Sequence, residues 1–94
     1  MLSETHFLDA IDRLQMMFDD VVDSGNDQEL FIAGYLNGHF SLIASQCINA
    51  KAFTLAALDE KLQQSLDTAF DNNELEIEDQ TQVRAFWSEC LSSL

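Results

Sequence analysis

The sequence has no proline, three glycines, two cysteines and only four Lys or Arg in 94 residues. Without proline and with so little glycine, long structureless loops and a many-turned all-β fold are excluded, which leaves helix. Four cations against 17 Asp and Glu give a formal net charge of −13. Affinity for nucleic acid rests largely on clustered cations that displace counterions from phosphates. Arg13, Lys51, Lys61 and Arg84 stand singly, so no direct nucleic-acid binding is expected, and an anionic membrane surface would repel the chain. Cys47 and Cys90 form no CxxC pair or regular framework, and both are expected as buried free thiols. No apolar run approaches the roughly 20 residues that span a bilayer. The opening segment "MLSETHFLDAID" is broken by acids and lacks the basic region of a signal peptide. The expectation is a cytoplasmic chain with one helical domain over residues 1–94.

Hydrophobic residues make up 47% of the chain and aromatics 10%, enough for one small core. Four segments carry helical periodicity. The first runs from about Glu4 to Asp23, with Phe7, Ala10, Ile11, Leu14, Met17, Phe18, Val21 and Val22 on one arc. Asp9, Asp12, Arg13, Asp19, Asp20 and Asp23, joined by Met16, lie opposite. Gly25 suits a left-handed helix end, and Asn26 with Glu29 forms a capping box for the next helix.

The second segment, about Asp27 to Ile48, has two apolar faces. Phe31, Tyr35 and Leu42 share one with Gly34 and Gly38, while Ile32, Leu36, Phe40, Ile43 and Cys47 cover the other. A helix that is apolar nearly all round is buried on more than one side, so this is read as the central helix. A third helix follows from about Thr54 to Asp71, its apolar face formed by Leu55, Leu58, Leu62, Leu66, Ala69 and Phe70. A fourth runs from about Ile77 to Leu91, with Val83, Phe86, Trp87, Cys90 and Leu91 on one side. The fold class that follows is all-α, a compact bundle of four main helices with the second at its centre.

Catalytic and metal signatures are scarce. Neither acidic loop matches an EF-hand: counted from Asp23 or from Asp71, the sixth position is Gln28 or Glu76 and the twelfth Gly34 or Gln82. His39 and Cys47 are eight residues apart on one helix, roughly 12 Å along its axis, too far for one metal ion. No P-loop, G-x-G-x-x-G, HExxH, GxSxG or Glu-x-x-His is present. No enzyme activity, cofactor or metal is therefore expected, and His39 is read as a boundary histidine with a hydrogen-bonded ring.

The glycine pair is more informative. Two interior glycines cost a helix roughly 2 kcal/mol relative to alanine. One turn apart, they open a groove into which another helix backbone can settle. The expected occupant is a helix of the same chain, so that Gly38→Leu would lower the melting temperature. The alternative is a partner's helix or a small ligand, which makes Gly34, Tyr35, Gly38 and His39 the candidate interaction residues.

"ELFIAGYLNGHFSLI", Glu29 to Ile43, together with the acidic first helix and the pattern Asp79-Gln80…Val83…Trp87, resembles the YfcL family of small bacterial proteins. The resemblance covers essentially the whole chain. Family members can open the last helix with Ser-Pro where this chain has Glu76-Ile77, a weaker cap. The resemblance implies a bacterial, cytosolic helical domain and transfers no catalytic residue or cofactor. With the charge, the reading is a non-enzymatic acidic interaction module whose partner has a basic surface. Two alternatives stay open. One is a small-ligand or metal-binding protein using Tyr35, His39 and Cys47. The other is a nucleic-acid mimic built on the Asp9–Asp12–Asp19–Asp20–Asp23 face.

Overall fold

A computed structural model describes residues 3–94; Met1 and Leu2, which open the segment read for a signal peptide, lie outside the described residues. Four helices follow in order: α1 (Glu4–Ser24), α2 (Asp27–Asn49), α3 (Leu55–Asp71) and α4 (Ile77–Ser92). Their starts lie where the side chains dictate. Ser3 accepts from the His6 N–H at 3.2 Å and Thr54 from the Ala57 N–H at 3.0 Å. The Asn26–Glu29 capping box closes reciprocally, at 2.9 and 3.3 Å. Glu76 gives α4 no side-chain cap, as its replacement of Ser-Pro implied.

The helix ends are less orthodox. Gly25 is extended (φ −81°, ψ 159°) rather than left-handed, which corrects the sequence reading. Glycine is needed there for space: a Cβ would lie 2.6 Å from the Val21 carbonyl oxygen. Left-handed closure falls instead to Lys51 (φ 56°) and Asn73 (φ 59°). In each case the next N–H reaches back five residues, Ala52 to Cys47 at 2.8 Å and Glu74 to Ala69 at 3.3 Å. This is the Schellman pattern.

Helix α2 packs against all three others. Its Ile32, Leu36, Phe40, Ile43 and Cys47 join Phe7, Leu14 and Phe18 of α1, Leu58, Leu62 and Leu66 of α3, and Val83 and Trp87 of α4. An aromatic chain ties three of the helices together: Phe18–Phe40 at 5.1 Å, edge to face, and Phe40–Trp87 at 5.9 Å. Trp87 is completely buried, and its indole N–H donates to Asp59 Oδ1 at 2.8 Å. Arg84 fastens α4 to α3 by hydrogen bonds to Gln63 and Asp67, and its guanidinium lies 5.0 Å over the Phe70 ring. The molecule measures 36 × 30 × 19 Å, about two helices deep along its short axis. A bundle that thin covers its central helix incompletely. Val22, assigned to the buried arc of α1, is instead 64% exposed.

Candidate interaction surface on the central helix

One strip of α2 faces outward. Phe31 is 46% exposed and Leu42 57%. Between them lie Gly34 and Gly38, both exposed; among the described residues, apart from their chain neighbours and the nearby backbone of α2 itself, nothing lies within 4 Å of the place a Cβ would occupy. The expectation that these glycines admit a neighbouring helix of the same chain is therefore overturned. The other three helices supply the core around the Ile32–Leu36–Phe40–Ile43–Cys47 side, and none covers the glycine face. The second apolar face of α2 is real as a pattern but is buried only at its Tyr35 edge.

Tyr35 and His39 form that edge. The Tyr35 hydroxyl donates to Glu74 Oε1 at 3.0 Å, and the Schellman turn at Asn73 delivers this carboxylate. The Tyr35 ring lies 4.9 Å from His39 and stacks on Phe70 at 6.4 Å. Burial first, then the hydrogen bond and charge of Glu74, push the Tyr35 hydroxyl up to about 12. His39 Nδ1 sits 2.8 Å from Ser65 Oγ of α3, so its ring is hydrogen-bonded at the helix boundary, as read from its position.

Beside this edge, α2 and α3 enclose an open cleft of about 440 Å³, lined among others by His39, Gln46, Lys61, Ser65, Thr68 and Glu74. The Ser65–His39 pair has the spacing of an activated hydroxyl. Ser65, however, lies in the middle of α3, where backbone N–H groups are spent on carbonyls four residues back, leaving no donor pair for an oxyanion. Cys47 takes no part in the cleft wall: it is fully buried in the core, and burial raises its pKa against the lowering effect of Lys61. Burial, with a smaller contribution from Glu89, holds Cys90 up at about 11. Both thiols are free and stay protonated at neutral pH. Tyr35, His39 and Cys47 are thus not brought to one site. Among the described residues no group of three or more His, Cys, Asp or Glu is placed to hold a metal.

The acidic face of α1 is exposed at Asp9, Asp12, Asp19, Asp20 and Asp23, and Arg13 pairs with Asp9 at 3.4 Å. Among the described residues no helix is long and apolar enough to cross a membrane.

A family model described as YfcL protein matches residues 9–92. The chain belongs to the YfcL family. It is similar to the uncharacterized protein YfcL of Escherichia coli (strain K12), 33% identical over 75 residues, which span 80% of this chain and 82% of that one. No solved structure matches. The match to the YfcL model takes in the acidic α1 face from Asp9 onward, the open strip of α2 and the cleft behind it. The name of that relative states no activity.

Sequence reasoning missed Ser65, Lys61 and Glu74, which complete the surroundings of Tyr35 and His39. Ser65 follows His39 by 26 residues and Glu74 follows Tyr35 by 39, and no local spacing rule connects them.

Proposed function

We propose that this YfcL-family chain is a non-enzymatic interaction module. Helix α2 makes the apolar contact through Phe31, Gly34, Gly38 and Leu42, and the acidic faces keep the chain soluble and steer a basic partner surface. One observation carries the reading: two glycines stand uncovered between two exposed large apolar side chains. Interior glycines cost helix stability, and among the described residues no internal packing at Gly34 or Gly38 offsets that cost. Exposed apolar residues scattered singly need no explanation, whereas four aligned positions one turn apart form a docking groove for a helix.

The test is affinity capture from bacterial lysate at low and high salt, with wild type and Leu42→Glu as baits. A stoichiometric partner retained by the wild type and lost by the variant supports the module. Recovery of no partner, or an identical set on both baits, counts against it.

The cleft supports a second reading, a small polar or anionic ligand held between α2 and α3 by Lys61, His39 and Ser65. Native mass spectrometry of the protein purified without denaturation would show such a ligand as a discrete added mass. A spectrum containing only the bare chain would remove this reading.

A further inference from the structure

From the open face of α2 we infer that the helix seated on it is α2 of a second copy, in an antiparallel two-fold pair. This rests on the module reading and assigns its apolar contact to a second copy, leaving the acidic faces for the basic partner surface. Three observations identify the occupant. The first is charge. All 17 Asp and Glu lie outside the stretch from Leu30 to Leu58. Of the other exposed apolar residues of the helices, Leu8, Val22 and Ile77 adjoin a carboxylate in sequence, and Met16 has Asp12, Asp19 and Asp20 within about one helical turn. Two chains of net charge −13 repel at those faces, because like charges set opposite each other are costly. The strip beginning at Phe31 carries no charge of its own.

The second is symmetry. A two-fold interface is isologous, so the same patch must complement itself. Along the strip the order is large, small, small, large: Phe31, Gly34, Gly38, Leu42. Both the outer and the inner pair are centred on the turn around Leu36. In an antiparallel crossing there, Phe31 meets the partner's Leu42 and Gly34 meets the partner's Gly38, so each bulky side chain has an apolar counterpart and the backbones close over the glycines. At the flanks, Asp27 comes opposite the partner's Ser45, a donor rather than a second carboxylate.

The third is rigidity. The strip lies within a continuous helix of 23 residues whose other side is locked into the core, so docking orders little new backbone. From Phe31 to Leu42 it spans about 16 Å, short of a standard interface, which makes the dimer concentration-dependent rather than obligate.

Sedimentation equilibrium over roughly 1–500 µM, within the range of weak interfaces, tests this together with cross-linking by a short bis-maleimide. The expected result is a monomer–dimer equilibrium whose dissociation constant rises about tenfold or more in Leu42→Glu and in Gly38→Leu. Both substitutions lie on open surface, and thermal melts establish that each variant is folded. Ser45→Cys mixed with Asp27→Cys cross-links, and Ser45→Cys alone does not, its two thiols being about 27 Å apart. A wild type that stays monomeric throughout overturns the dimer. A dimer indifferent to both substitutions, or efficient Ser45→Cys self-linking, overturns the face or the antiparallel register. If the chain is monomeric yet Leu42→Glu loses a captured partner, the dimer fails and the module reading stands.

Discussion

Alanine substitution at the three glycines separates the packing account from its rival by sign. At Gly34 and Gly38 a Cβ enters empty space, so alanine removes the backbone-entropy cost without a clash. Each change then stabilises the monomer by about 1 kcal/mol, and the double variant by about 2 kcal/mol. For a domain of this size that is a rise of about 8–16 °C in Tm. At Gly25 the new Cβ would lie 2.6 Å from the Val21 carbonyl oxygen, 2.8 Å from Val21 Cγ1 and 3.1 Å from Glu29 Cβ. The carbonyl belongs to the backbone and cannot rotate away, so Gly25→Ala costs about 1–3 kcal/mol. Urea and thermal melts followed by helical circular dichroism read all three, at concentrations low enough to keep the chain monomeric. Loss of stability in Gly34→Ala or Gly38→Ala would show that these glycines are packed against something within the chain, and would refute the open strip.

Tyr35 is the only tyrosine, so an alkaline absorbance titration reports it alone. Its folded-state pKa is raised to about 12 from 10.0, so stability is fully present below pH 10 and falls as pH rises from 10 toward 12. Glu74→Gln lowers the midpoint only part of the way, because burial is the larger cause; an unchanged midpoint would contradict the Tyr35–Glu74 hydrogen bond. Asp59→Ala strands the fully buried Trp87 indole N–H and costs about 1–3 kcal/mol. A neutral effect in urea melts would show that the indole finds another partner. Cys47 and Cys90 react with a thiol reagent at pH 8 only as fast as the chain opens, and both react at once in denaturant. Rapid labelling of the native protein would contradict their burial.

The fold was largely legible in the sequence because local chemistry marks its helices. Asn26 with Glu29 placed the start of α2 correctly, and Gly25 marked the end of α1 although its conformation is extended. The apolar set from Ile32 to Cys47 made α2 the central helix. Periodicity, however, reports which residues share a face and not which faces meet. Phe31 and Leu42 looked as buried as Phe40, and Val22 as buried as Phe18. A bundle two helices deep has too few neighbours to cover them. The edge of the candidate site was legible as Tyr35 and His39. Its completion by Ser65 and Glu74 depends on how α3 and its Schellman turn lie against α2, and no sequence spacing records that.

The proposed pairing of two copies through the glycine face of α2 can be followed directly at the chain's three glycines. Glycine amides occupy a sparse region of a nitrogen–proton correlation spectrum, so a dilution series on the unmodified protein follows each one. The Gly34 and Gly38 signals are expected to move together with concentration along a single dimerisation curve, while the Gly25 signal at the α1–α2 turn stays fixed. Three signals that are invariant up to millimolar protein, or a Gly25 signal that moves as far as the other two, would contradict the pairing.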